Sequence, residues 1–356
     1  MTFNENFPIL KDYTYLNTAY SGLLSSEISE WRSRHDSDFV GNASIFRANN
    51  IAIFDNLRNN LAETFGCKIA NTFLSSNFSG GFGKILDGID SSHRFLLLNE
   101  DYPSVNYQVT SRGFAWTEVQ LTANLEEDIL SEIERFKPTI FAFSMTQYIS
   151  GIKMQSKFIK ALKTNYPNLV LIADGTQFLG TAPFDFNTSC LDALIGSGYK
   201  WLLGGYGNGY LFLSDRMRDL VHQKRKDSIL PTAPFLLGRD YLSLALEAGH
   251  FDTLSFGTLN QSINYLKKIG FDMIDEKIQE LAGKARVALY NKGLLSDWIM
   301  DRQEQSGIIS MSLRKEVALN LESKKIICSP RGNGTRISFN FYNTEDDLFQ
   351  LLDALD

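Results

Sequence analysis

The sequence predicts an α/β fold: a large domain on a mostly parallel, seven-stranded sheet sandwiched by helices, followed by a small C-terminal α+β domain. Three observations carry this reading. Between about residues 70 and 215, short apolar runs alternate with helical patterns of about a dozen residues, which is the texture of βαβ units. From about Thr258 long amphipathic patterns take over. The end of the chain returns to short strand-like runs and closes on a capped helical pattern.

Taken in order, the periodicity after "TYLNTAYSGLLSSE" predicts helices over 28–39 and 51–65, the second ending near Gly66. "NTFLSS" is strand-like, "GGFGKILDGI" helical, "RFLLLN" strand-like, "VNYQVTSRG" helical, "WTEVQL" strand-like and "EEDILSEIERF" helical. "TIFAFSM", "NLVLIA", "ALIGSG" and "GYLFLS" complete the strands, with "QSKFIKALKTNY" as a helix after the first of them. "LNQSINYLKKIG" and "DEKIQELAGKARVALYNKGL" read as long helices. "GIISMSLR", "KKIICSP" and "TRISFNFY" read as short strands, and "TEDDLFQLLDALD" as a helix with Thr344 as N-cap. The chain thus divides into an N-terminal segment, 1–20, a large domain, 21–270, and a small domain, 271–356.

Composition narrows the function. Hydrophobic residues at 44% and charged residues at 21% fit a folded globular chain of 356 residues. A net charge of −6 and the lack of a basic run argue against nucleic acid and favour a small-molecule partner. Cys67, Cys190 and Cys328 are scattered and odd in number, so neither a disulfide framework nor a metal site is expected. "MTFNENFPILKDYTYLN" lacks the basic start and apolar core of a signal peptide, and no apolar run approaches the roughly 18 residues of a membrane span. The expected location is cytoplasmic, with no membrane partner.

Two stretches carry chemistry. In "LIADGTQFLG" an apolar strand ends at Asp174, on the edge where open parallel sheets bind ligands. Such an acid is a turn or cap residue, or else a carboxylate that holds a ring nitrogen protonated. In "GSGYKWLLGGYGNG", Lys200 is a surface residue of a turn or, if desolvated between strand and Trp201, a nucleophilic amine able to form a Schiff base. "SNFSGG" places small residues between a strand and a helix start, which suits a helix cap or an anion. Arg336 alternates with Ile337 and Phe339, as on a strand with one packed face.

The order and spacing of "YLNTAYSG", "SSNFSGG", "NEDYPSV", "TQYISG", "DGTQFLG", "GYKWLLGGYGNG", "FGTLN" and "TRISFNFYNTEDD" resemble the class V aminotransferases of the fold-type I pyridoxal phosphate enzymes. That family includes cysteine desulfurases, kynureninases and isopenicillin epimerases. The resemblance implies pyridoxal 5′-phosphate as cofactor and a small amino acid as substrate. It implies that Lys200 forms the Schiff base, that Asp174 partners the pyridine nitrogen, and that Gln177 donates to the ring oxygen. Tyr102 would stack on the ring, and Gln147 would contact it. Phe78, Ser79, Ser197 and Tyr199 would hold the phosphate. Gly257 and Thr258 would reach the phosphate of a neighbouring subunit in a homodimer, although Thr258 also reads as the cap of the helix it precedes. Arg336 would grip the substrate carboxylate, and Asn17 and Tyr20, in the segment folded over the site, would touch the substrate.

The reaction is less determined. Released from the cofactor, Lys200 would move the α-proton, a step common to transamination, epimerisation and elimination. Cys328 reads as a strand residue eight positions before Arg336 rather than as a nucleophile on a mobile loop, which disfavours persulfide chemistry. Tyr102 stands where desulfurases have His, and a phenol of pKa about 10 is a poor base near neutrality. An aminotransferase-like enzyme is the expectation, with a C–S lyase, a desulfurase, an epimerase or a non-catalytic cofactor-binding protein as alternatives. Neither a G-x-x-x-x-G-K-[ST] loop nor a strand-linked G-x-G-x-x-G supports a nucleotide-binding enzyme.

Overall fold

The computed structural model describes residue 3 and residues 5–356. The chain opens with β1 (Thr14–Tyr15), α1 (Ser26–Asn50) and α2 (Ala52–Phe65). Then follow β2 (Thr72–Ser75), α3 (Phe78–Leu86), β3 (Arg94–Leu98), α4 (Pro103–Thr110), β4 (Ala115–Val119), α5 (Leu125–Phe136), β5 (Ile140–Ser144), α6 (Ser156–Asn165), β6 (Val170–Asp174), β7 (Ala193–Ser197) and β8 (Gly209–Leu213). Helices α7 (Asp215–Leu220), α8 (Tyr241–Leu246), α9 (Thr253–Ile269), α10 (Phe271–Asn291) and α11 (Asp297–Met300) come next. The end comprises β9 (Ile308–Met311), α12 (Lys315–Ser323), β10 (Ile326–Ile327), β11 (Ser329–Arg331), β12 (Gly334–Ser338) and α13 (Glu345–Leu355).

The expected seven-stranded sheet is present, in the order β2-β8-β7-β6-β5-β3-β4. Only β8 runs against its neighbours, antiparallel to both β7 and β2. The cause is the short link over residues 198–208, since a parallel crossover requires a dozen or more residues. Strand side chains alternate between two apolar layers. Leu96, Phe141, Leu171, Leu194 and Phe212 pack with α2, α5, α6 and α9 on one face. Phe95, Ile140, Ile172, Ile195 and Leu211 pack with α3, α4 and α8 on the other. Burial on both faces explains why these strands read as nearly continuous apolar runs.

The small domain holds the antiparallel sheet β11-β12-β9. Helix α10 bridges the cores: Ile274 and Ile278 join the large one, while Leu281, Ala285 and Leu289 pack with Ile309, Ile337 and Leu351. Thr344 caps α13 as expected, in a reciprocal box with Asp347.

Local differences have local causes. Helix α1 continues beyond 28–39 to Asn50, broken at Ala43, whose φ is 44°. Helix α12 was not anticipated. Helix α9 begins before Thr258 because Asp252 accepts hydrogen bonds from Leu254 and Ser255 N–H, so Thr258 is an interior residue and not the cap. Among the described residues no helix is long and apolar enough to cross a membrane.

Candidate active site

Parallel strands bring their carboxyl ends to one edge, and the site is built there. Ser144 at the end of β5 pairs with Asp174 at the end of β6, and Asp174 pairs with Ile195 of β7. A cavity of about 230 Å³ opens at this edge, with Phe78, Ser79, Tyr102, Asp174, Gln177, Ser197, Tyr199 and Lys200 on its wall.

Lys200 sits in the turn after β7 and is only 6% exposed. Its Nζ lies 5.8 Å from the centroid of the Tyr102 ring and 5.4 Å from that of Tyr199. Burial pushes the amine pKa well down; the Asp174 charge opposes this, and Arg336 and Arg331 add to it. The stretch just before α1 fixes the turn, with Gly22 N–H donating to the Tyr199 carbonyl at 2.9 Å. A Cβ at Gly22 would stand 2.0 Å from the Lys200 carbonyl oxygen, so this approach requires glycine.

Asp174 is as buried as Lys200, and burial raises its carboxyl pKa. One of its oxygens accepts the Thr176 N–H at 2.8 Å. Gln177 donates to the Ala19 carbonyl at 2.8 Å and accepts from the Trp201 indole at 2.8 Å, so its carboxamide is held in one orientation with one N–H left to give.

At the other end of the cavity Asn77, not a serine, caps α3 by accepting from Gly80 N–H at 2.8 Å. Phe78 N–H donates to the Ser197 hydroxyl at 2.9 Å, and the Ser79 hydroxyl meets Ser104 at 2.7 Å. A helix N-terminus with hydroxyls beside it is an arrangement that suits an anion. The Tyr199 ring stacks on Tyr206 with centroids 5.0 Å apart.

Arg336, on β12, is 2% exposed and donates to the Tyr148 carbonyl, which places it behind the cavity wall to which Tyr148 belongs. Its Nε has no partner, and burial pushes its pKa down to about 10.

Some expected residues lie elsewhere. Gln147 does not reach the cavity: it donates to the Glu100 carbonyl at 2.7 Å and accepts from Ile149 N–H at 2.7 Å, which commits it to bracing the loop. Gly257 packs against Trp31, and Thr258 is fully buried, its hydroxyl donating to the Leu254 carbonyl and accepting from Arg32 at 2.9 Å. Neither lines the cavity of its own chain. Asn17 accepts from the Ser329 hydroxyl at 2.7 Å, tying the N-terminal segment to the small domain. Tyr20 is exposed and faces Arg331.

Three contributors escaped the sequence reading. Thr176 links Asp174 to β7, its hydroxyl accepting from Ser197 N–H at 3.1 Å. The Tyr148 ring meets Tyr102 edge-on at 5.4 Å. Asp101 is buried under Tyr102 and accepts from Tyr102 N–H at 2.6 Å, Ser144 N–H at 2.8 Å and the Ser144 hydroxyl. The acidic pair after the apolar run "RFLLLN", Glu100 and Asp101, was the available signal for Asp101.

Comparison with known proteins agrees with this geometry. The family model "Aminotransferase class-V" matches residues 112–351. An uncharacterized aminotransferase of Bacillus subtilis, YcbU, is 25% identical over 58% of the chain and 56% of its own length. Isopenicillin N epimerase of Streptomyces clavuligerus is 27% identical over 53% and 52%. The chain thus spans about half the length of these curated relatives. Among solved structures, the cystine C–S lyase C-DES in complex with cysteine persulfide superposes with a TM-score of 0.87 at 18% identity, covering 98% of both chains. Cysteine desulfurase of Thermococcus onnurineus gives 0.83 at 15% identity, covering 99% of this chain and 96% of its own. At such identities the likeness is one of fold. With the family model matching most of its length, the chain belongs to the class-V aminotransferase family, whose cofactor, pyridoxal 5′-phosphate, is the one expected from its residues.

Proposed function

We propose that this chain is a pyridoxal phosphate-dependent, aminotransferase-like enzyme acting on a small amino acid, and that it works as a cytoplasmic homodimer. The observation that carries the reading is Lys200: a buried amine whose pKa burial pushes down, on one cavity wall with a buried carboxylate. The cavity fits the cofactor in kind. Asp174, destabilised as an anion by burial, suits a protonated ring nitrogen; Tyr102 offers a flat face; Gln177 has a free N–H for the ring oxygen. The N-terminus of α3 with Ser79, Ser197 and Tyr199 would hold the phosphate, whereas Gly257 and Thr258, buried within their own chain, have no surface from which to reach that of a second copy.

When bound, the cofactor supplies an electron sink for charge developed at the substrate Cα. This chain supplies the rest. Arg336 orients the carboxylate, and Lys200 Nζ, whose pKa burial lowers to about 7, takes the proton from Cα and returns it. The ring packing of Tyr102 and Tyr148 keeps water from the reacting face.

A second reading, elimination at a C–S bond without an enzyme thiol, is favoured over a persulfide-forming desulfurase by one observation. Among the described residues no cysteine lines the cavity, and burial pushes the Cys328 thiol up to about 11. The test is the visible spectrum of the protein mixed with pyridoxal phosphate. A borohydride-reducible band, absent in Lys200→Ala, is expected; the same band surviving in that variant would overturn the assignment. Product analysis separates the two readings: a 2-oxo acid formed only with an amino acceptor means transamination, and sulfide or persulfide released without one means elimination.

A further inference from the structure

Resting on the reading above, one feature of the cavity mouth narrows the substrate. Arg331 and Arg336 occupy one hairpin, in which Ser329 pairs with Arg336 and Arg331 with Gly334. Since strand side chains alternate, Arg331 and Arg336 stand on the same face as diagonal neighbours. The hairpin lies close enough to the cavity for the Arg331 charge to act on Lys200. A Cβ on Gly332 would lie 3.3 Å from Ile149, next to the cavity residue Tyr148.

Neither guanidinium has a carboxylate partner among the described residues. Arg331 is partly buried, lies 5.1 Å from the centroid of the Tyr20 ring, and gives one hydrogen bond to the Pro330 carbonyl at 3.0 Å. Arg336 gives one to the Tyr148 carbonyl and keeps an orphaned Nε. Arg58, Lys163 and Arg302 are matched to acids, Glu247 at 2.7 Å, Asp192 at 2.5 Å and Glu126 at 2.6 Å, and buried Arg286 is held by the Ser306 and Ile308 carbonyls. Two like charges left adjacent and unmatched repel one another until anions arrive. A substrate carboxylate neutralises one of them.

We propose that Arg331 receives a second anionic group, so that the preferred substrate is an amino acid whose side chain ends in a carboxylate or sulfinate. Arg336 holds the α-carboxylate and Arg331 the distal anion, with the Tyr20 ring against the guanidinium fixing its plane.

Succinate and propionate, which differ by one carboxylate and carry no amine to react, are the probes. Their binding to the cofactor-loaded protein is measured by calorimetry. Succinate binds at least about ten-fold tighter than propionate, the order expected for one charge-assisted, bidentate contact. Arg331→Gln brings the ratio close to one, and Arg331→Lys keeps part of it. A ratio near one in the wild type, or an unchanged ratio in Arg331→Gln, overturns the proposal. The failures are separable. Protein that takes up no pyridoxal phosphate defeats the enzymatic reading, whereas protein that takes it up and binds both probes equally defeats only the role of Arg331.

Discussion

Asp101 and Asp174 follow parallel strands at the same edge of one sheet, and their exposures are 4% and 6%. Burial raises both carboxyl pKa values. Their surroundings differ. Asp101 accepts two N–H groups and a hydroxyl and joins the end of β3 to the end of β5. Asp174 accepts one N–H, with the Thr176 hydroxyl beside it, and opens on the cavity. A buried anion that its own chain satisfies holds the scaffold; one left short of partners and open to a cavity is suited to a cationic guest. Hydrogen-bond satisfaction, not burial or pKa, separates the two roles.

Substitution at both positions tests that distinction, and the largest effect belongs to Asp174. Asp174→Asn keeps volume and removes charge, so turnover should fall by at least about 100-fold, the order of losing one preorganised electrostatic partner. The urea midpoint near neutral pH should not fall and should rise, because a buried carboxylate with a raised pKa costs the fold stability there. Normal turnover would show that the ring nitrogen is managed elsewhere. Asp101→Ala should do the reverse, destabilising the protein by about 3 kcal/mol by stranding three buried donors. If the two variants lost turnover and stability in equal proportion, the comparison would collapse.

The same comparison shows what could be read from sequence. Asp174, Gln177, Ser197, Tyr199 and Lys200 were legible because short segments at two neighbouring strand ends carry them, and both strands are marked by apolar runs. Asp101 was not, since its partners come from β5 and its meaning is a hydrogen-bond count. Gln147 was misjudged because a carboxamide serves a loop as readily as a ligand, and only the Glu100 carbonyl and the Ile149 amide decide between them. The reversal of β8 was hidden because alternation reports which face a side chain takes, not strand direction. Arg331 drew no attention because its significance is the absence of an acid that distant segments could have supplied.

A smaller effect concerns pH. In cofactor-free protein the folded Asp174 pKa lies above its unfolded value, so the folded state binds more protons just above the ordinary carboxylate value of about 3.9. Its contribution to stability is therefore present at low pH and lost as pH rises through the folded pKa. Lys200 has the opposite sign: with its folded pKa below the ordinary value of about 10.4, stability recovers as pH climbs through that window. The site contributes least between the two. Urea midpoints measured against pH should show a shallow minimum there, and Asp174→Asn should remove its acid limb. A minimum unchanged in that variant would assign it to other groups.

The smallest effect tests the far end of the cavity. Asn77→Ala removes the acceptor for Gly80 N–H at the start of α3, a loss of about 1 kcal/mol in stability for an N-cap. The first turn of α3 would then fray where Phe78 N–H meets the Ser197 hydroxyl, and the amides that suit an anion there would lose their common direction. Affinity for pyridoxal phosphate should fall together with affinity for inorganic phosphate, while affinity for pyridoxal, which lacks the phosphate, stays near that of the wild type. An equal loss for pyridoxal would mean that the cap supports the whole edge of the sheet, and the division between an end that grips and an end that reacts would not hold.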